Sequence, residues 1–178
     1  RRDGYHNLAS VMQTVDLFDT IEFSESEEVI VTCDDEEITP EINLASKAAS
    51  VLKQQAGITN GATMNIIKNI PVSAGLGGGS TDAAAALRGL NKLWKLDLSL
   101  GELTEIGAEI GSDVPFLVRG GTSLVQGRGE DVTPTPPAAV PKFLILTPDV
   151  NLENPTAKTA SVFSHVNESM FTRGNLTH

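Results

Sequence analysis

The sequence predicts an α+β fold, and three observations point to it. Ile21/Phe23 and Val29/Val31/Cys33 recur at strand period within residues 7–33, where Met12, Thr14 and Leu17 also lie among apolar neighbours. Two segments, 44–56 and 99–110, carry helix-start signals ahead of periodic apolar residues. Between them a strand-like run, Ala62–Ile67, feeds a glycine-dense loop, Pro71–Thr81, and then the alanine-rich stretch Asp82–Leu87, a strong helix former.

Each element has a local reason. Asn43 suits the cap of a helix over 44–56, and Gly57 suits its end. The helix after the glycine loop presents Leu87, Leu90 and Trp94 on one face, so Trp94 is read as core. Ser99 and Glu102 form a capping box that opens a helix with Leu103, Ile106 and Ile110 on one side, closed by Gly111. Phe116–Val118 and Thr122–Val125 read as a hairpin around Gly120-Gly121, and Gly127-Arg128-Gly129 as a further turn. Four prolines between 134 and 141 mark a linker. This divides the chain into a domain over 1–137 and the beginning of a second over 138–178. In the second, Lys142–Leu146 is expected as a buried strand and 159–167 as a helix.

The 178 residues are 40% hydrophobic, enough for a real core. A net charge of −10 argues against nucleic acid or an anionic membrane as the main partner. No apolar run is long enough to span a membrane, and no signal-peptide pattern is present. The single cysteine, Cys33, excludes an internal disulfide and reads as a small core-facing residue. Asp34-Asp35-Glu36-Glu37 reads as a solvated acidic turn, since no histidine or further ligand cluster accompanies it. The chain opens at Arg1 and stops after Asn175-Leu176-Thr177-His178, and the natural protein is expected to extend beyond both ends.

The glycine loop carries the first chemical signal. Four glycines, with Ser73, Ala74, Ser80 and Thr81, leave the backbone nearly bare, so it can approach a ligand closely. Free N–H groups at a helix N-terminus suit a phosphate, because the orphan donors and the helix dipole both favour an anion. A glycine-rich turn before an ordinary core helix has the same local pattern. The P-loop is excluded because no lysine separates Gly79 from Ser80. The Rossmann fingerprint fits poorly, since Ser80 stands where its third glycine belongs and Asp97 lies in a turn.

Asp113, in Gly-Ser-Asp-Val-Pro, falls just past a predicted helix end, where a carboxylate meets the negative end of the dipole. It is either a turn-forming aspartate or a functional one. Asp3-Gly4-Tyr5-His6 is a third marker, although alone it reads as a turn with an ordinary histidine.

Pro71–Ala84 resembles the nucleotide loop of the GHMP kinases at nearly every position, and Gly111–Pro115 resembles their Gly-Ala/Ser-Asp-Val/Ile-Pro motif. With Arg1-x-Asp3-Gly4-Tyr5-His6 and Gly127-Arg128-Gly129-Glu130, nearly the whole chain is similar to one branch of them, the 4-diphosphocytidyl-2-C-methyl-D-erythritol kinases. The resemblance implies a GHMP kinase fold: a nucleotide-binding domain of the ribosomal protein S5 domain 2-like type, then the start of an α/β-sandwich domain. It implies ATP and Mg²⁺ as cofactors and a cytidine diphosphate-linked methylerythritol as acceptor, in isoprenoid precursor synthesis.

Residue by residue, Asp113 would accept the proton of the attacking hydroxyl or orient it. Pro71, Gly75, Leu76, Gly77, Gly78, Gly79, Ser80 and Thr81 would form the ATP loop, with Asn43 and Lys68 beside the adenine. A lysine at a strand end is also commonly just solvated. Ser80 or Thr81 would offer Mg²⁺ a hydroxyl, and Ser80 is the one assigned. Tyr5 and Phe163 would sandwich the cytosine, with His6 and Thr159 as polar contacts; Phe163 also suits a helix core. The family's catalytic lysine would precede the Tyr5-His6 marker. A bacterial cytoplasm or a plastid stroma is the expected location. Another GHMP kinase, of homoserine or mevalonate type, and a non-catalytic ATP-binding module are the alternatives.

Overall fold

The computed structural model describes residues 5–137, 142–146, 161–162 and 164–170. Their elements, in order, are β1 (Leu8–Gln13), β2 (Thr20–Ser26), β3 (Val29–Cys33), α1 (Leu44–Ala56), β4 (Gly61–Ile67), α2 (Gly78–Leu93), α3 (Leu100–Ile110), α4 (Val114–Arg119), β5 (Thr122–Gly127) and β6 (Asp131–Pro134). A 3₁₀ turn, Glu168–Met170, follows. The mixture bears out the α+β prediction. No helix among the described residues is long and apolar enough to cross a membrane.

The strands form two three-stranded sheets, ordered β1-β5-β6 and β2-β4-β3. The first is antiparallel throughout. In the second, β4 runs antiparallel to β2 and parallel to β3, so α1 is the crossover between parallel neighbours. Asn43 caps α1 by accepting from the Ala45 N–H at 2.9 Å, and Gly57 closes it at φ 63°. The Ser99/Glu102 capping box opens α3.

The core lies where α1 and α2 pack together over the second sheet. Ala45, Ala48, Ala49 and Leu52 of α1 meet Ala83, Ala86, Leu87 and Leu90 of α2, with Met64 and Ile66 of β4 beneath. Alanine on both surfaces lets the two helices approach closely, which is what the alanine run after the glycine loop is for. Trp94 is partly buried against this cluster, and its indole N–H donates to the Gly61 carbonyl at 3.0 Å. Cys33, near the other end of β4, is also partly buried against this cluster.

Two predicted elements are corrected. Residues 116–118 are not one arm of a hairpin but part of α4. Pro115 lies in the first turn of α4, where a missing N–H costs nothing. Val114 and Val118, one turn apart, are both fully buried. Gly120 and Gly121 then turn the chain at φ 70° and 76° into β5, whose partners are β1 and β6. Lys142–Leu146 is not a buried strand: no described strand pairs with it, and Leu144 and Leu146 are 86% and 79% exposed. Of the helix expected over 159–167, residues 161, 162 and 164 are helical, whereas 159, 160 and 163 lie outside the described residues.

Candidate active site

The glycine loop connects the end of β4 to α2 by a backbone of alternating hand. Ser73, Gly75 and Gly77 take φ of 58°, 79° and 71°, with residues of ordinary hand between them. Such alternation turns successive N–H groups toward one side, a geometry that suits anions. Ser73 is the telling member, since a non-glycine residue at positive φ is uncommon and tends to occur at functional sites. α2 begins inside the glycines, at Gly78, with Gly77 as its left-handed cap. The first N–H groups of a helix lack acceptors within it; here they belong to Gly78, Gly79 and Ser80.

These groups face a cavity of about 550 Å³. It is lined by Pro71 and Gly75–Ser80, by the buried charged pair Lys68 and Asp82, here called its floor, and by the apolar Ile38, Ile42 and Leu44. Asp113 stands on the same cavity. It lies between the end of α3 and α4, at the N-cap of α4 and without a side-chain cap bond. The new helix supplies a favourable dipole end, so the electrostatic penalty expected from α3 alone is relieved. Desolvation by the surrounding walls raises the Asp113 pKa above the ordinary carboxylate range, although the residue as a whole is exposed.

The turn carrying Asp113 is held from behind. Gly129 (φ 126°) lies so close that a Cβ there would come 2.2 Å from the Ser112 carbonyl oxygen. Only glycine lets the β5–β6 turn press against that backbone.

The floor is an ionic cluster. Lys68 Nζ donates to Asp19 Oδ2 at 2.5 Å and to Asp82 Oδ2 at 2.7 Å, and the three side chains are 8%, 2% and 5% exposed. Asp19 Oδ1 also accepts from the N–H groups of Asn69 (2.6 Å) and Ile70 (2.8 Å). The two acids respond oppositely. Burial raises the Asp82 pKa to about 6 against the pull of Lys68. Burial also acts on Asp19, but Lys68 and the two backbone N–H groups outweigh it and lower that pKa. For Lys68, desolvation is likewise outweighed by the two carboxylates, and its pKa is raised.

The structure therefore gathers Asn43, Lys68, Pro71, the glycines, Leu76, Ser80 and Asp113 around one cavity. Asn43 is buried there, with Oδ1 engaged as the α1 cap. Lys68 is not the solvated strand-end lysine its position suggests. Between the two hydroxyls, Ser80 is on the cavity wall, whereas Thr81 Oγ1 donates back to the Gly77 carbonyl at 3.0 Å. Tyr5 and His6 are exposed and off the cavity wall, and the Arg128 guanidinium lies 5.4 Å from the Tyr5 ring centroid. Thr159 and Phe163 lie outside the described residues, although Val162 reaches the cavity. Asp19 and Asp82 escaped the sequence reading. An acid in the second turn of a helix looks ordinary, and nothing local pairs Asp19 with a lysine far along the chain.

The fold is that of the GHMP kinases, and residues 43–121 match the family described as GHMP kinases N terminal domain. The 4-diphosphocytidyl-2-C-methyl-D-erythritol kinase of Dehalococcoides mccartyi is 41% identical over 177 residues, which cover 99% of this chain and 62% of the relative. The enzyme of that name from Caldicellulosiruptor saccharolyticus is 53% identical over 153 residues, covering 84% of this chain and 53% of the relative. A crystal structure of 4-(cytidine 5'-diphospho)-2C-methyl-D-erythritol kinase superposes with a TM-score of 0.63 at 33% identity, covering 76% of this chain and 48% of that one. Over nearly its whole length the chain is thus similar to the 4-diphosphocytidyl-2-C-methyl-D-erythritol kinases. It spans less than two thirds of the length of these relatives.

Proposed function

We propose that the protein transfers the γ-phosphoryl group of ATP to the free hydroxyl of 4-diphosphocytidyl-2-C-methyl-D-erythritol. One observation carries the reaction type: the glycine loop and the Asp113 carboxylate line the same cavity. Phosphoryl transfer asks for positioning and charge neutralisation more than for covalent chemistry. The loop N–H groups receive the phosphates, and the apolar end formed by Ile38, Ile42 and Leu44 receives the base, with Asn43 and Lys68 beside it. Asp113 accepts the proton of the acceptor hydroxyl as its oxygen bonds to the γ-phosphorus and the bond to the β-phosphate oxygen breaks, releasing ADP. Its raised pKa makes it a better proton acceptor than a solvated aspartate.

The choice of acceptor rests on kinship with the two relatives and on the Tyr5-His6 marker. Tyr5 and His6, with Thr159 and Phe163, are assigned to the cytidine end of the substrate, and residues 138–178 to the start of a second domain.

The donor set fits Mg²⁺. Among the described residues no three His, Cys, Asp or Glu side chains gather into a metal cage. Mg²⁺ is normally held by one or two protein groups and by the phosphates themselves. Ser80 is the wall residue whose hydroxyl is suited to hold it. When bound, Mg²⁺ supplies neutralisation of phosphate charge.

The test is ATP consumption by the full-length protein offered the cytidine diphosphate-linked methylerythritol, homoserine and mevalonate separately. Turnover of the first alone is expected. Turnover of another would keep the ATP loop and Asp113 but discard the cytidine assignments.

A further inference from the structure

The ionic floor of the cavity holds one acid more than charge balance needs. Lys68 carries one positive charge and is gripped by two buried carboxylates. Asp19 alone would neutralise it, and Asp19 is the better-stabilised acid, with two backbone N–H groups on its other oxygen. Asp82 accepts from Lys68 at 2.7 Å and is a second buried carboxylate on the same cation, its side chain 5% exposed. A buried ionised group without full compensation is costly and calls for a reason other than stability.

The reason lies in where the three residues sit. Asp19 comes from the β1–β2 connection, Lys68 from the end of β4 and Asp82 from the second turn of α2. The whole glycine loop runs between Lys68 and Asp82, so their contact closes the loop at its base. Asp19 fixes the entry side through the N–H groups of Asn69 and Ile70. The exit side is packed tightly: a Cβ on Gly78 would lie 3.1 Å from Ile70 Cγ2 and 3.4 Å from Lys68 Nζ. The start of α2 therefore rests directly on the cluster. Other charged groups stand further back. Asp34, after β3, accepts from the Lys68 backbone N–H at 2.9 Å and not from its ammonium, and Asp113 is across the cavity.

We propose that Asp82 is a positioning residue for the glycine loop, clamping α2 to the end of β4 through Lys68, with Asp19 anchoring that clamp to the loop's entry peptides. Asp82 acts through Lys68 and through the helix that carries it, and it sets the direction in which the loop N–H groups point. The inference rests on the nucleotide reading of the cavity.

The cluster's surplus acid makes the test clean. Asp82→Ala leaves Lys68 paired with Asp19 and the buried charge balanced, so the fold is retained. Asp82→Asn restores an acceptor for Lys68 without the charge. In the full-length protein, KM for ATP and KM for the alcohol are measured for wild type and both variants, alongside melting temperature. Asp82→Ala raises KM for ATP about fivefold or more, the lower range for coupling between two sites. It leaves KM for the alcohol unchanged, and Asp82→Asn recovers most of the loss.

An unchanged KM for ATP, an equal loss for both substrates, or no recovery in Asp82→Asn overturns the proposal. Should Asp82→Ala fail to fold, Asp19→Ala is read in the same way, and a wild-type KM for ATP there overturns it. If the wild type consumes no ATP, the nucleotide reading falls instead. Amide exchange across residues 74–78 then decides the clamp: faster exchange in Asp82→Ala supports it, and wild-type exchange overturns it.

Discussion

The floor and the lip of the cavity each present an aspartate whose pKa burial raises, yet the two are partnered differently. Asp82 on the floor is held by Lys68, 2.7 Å away. Asp113 on the lip has no cation among the causes of its shift, and desolvation alone moves it. The same residue type in one cavity is thereby divided between two tasks. On the proposed reading, the carboxylate held by an ammonium serves geometry, whereas Asp113, with no cation partner among the described residues, keeps its lone pairs for an incoming hydroxyl. The environment, and not the residue type, assigns the role.

That contrast can be broken by mutation. The largest effect falls on the lip: Asp113→Asn lowers kcat of the full-length enzyme by about 10²–10⁴-fold, the usual worth of a general base, while KM for ATP stays near wild type. Steady-state kinetics with ATP varied checks this, and unchanged turnover would sink the role given to Asp113. On the floor the effect is structural. Lys68→Met strands two buried carboxylates and costs about 3–5 kcal/mol in denaturant unfolding; a wild-type midpoint would mean the cluster is not buried in solution. Gly129→Ala tests the support behind Asp113. With backbone 2.2 Å from the new Cβ, the turn must shift; strain of about 1–3 kcal/mol is expected, with a greater loss in kcat than in ATP binding. An equal loss in both would point to unfolding and not to a displaced carboxylate.

The smallest effect is on stability against pH, and its sign follows from the two floor acids. The folded-state pKa of Asp82 is raised to about 6 from 3.8, so its contribution is full at low pH and is lost as pH rises through about 6. Asp113 shifts in the same direction. Asp19, whose pKa is lowered, contributes above its unfolded value and loses that contribution as pH falls through its folded one. The melting temperature should therefore climb on acidification from about pH 6.5 to about 4 and fall below that. Asp82→Asn should flatten the climb without moving the acid limb. A steady decline from neutrality would contradict the assignment.

Much of this was legible in the sequence because it is locally encoded. Asn43, Gly57, Ser99 and Glu102 announce their helix ends through side chains that bond a few residues away, and the glycine loop is written in consecutive letters. What failed was non-local. Phe116–Val118 reads as a hairpin arm because apolar residues run through it ahead of Gly120-Gly121, whereas packing against α2 and α3 holds Val114–Arg119 as a helix. Lys142–Leu146 has a core-like composition but no described neighbour to bury it. The Asp19–Lys68–Asp82 cluster joins three elements, and no spacing rule connects them. Tyr5 and His6 were singled out by motif, yet their part in a site depends on chain beyond the cavity wall.

The pairing of β1 with β5 bears on how the chain acquires its shape during synthesis. Leu8 lies opposite Gly127 and Gln13 opposite Thr122, so the first strand waits for nearly the whole domain before it finds a partner. The β2-β4-β3 sheet and its two helices can close earlier, from shorter-range contacts. A ribosome-bound chain halted before residue 122 would hold a packed helical core while β1 still lacks its β5 partner, leaving an edge open to mispairing or to a chaperone.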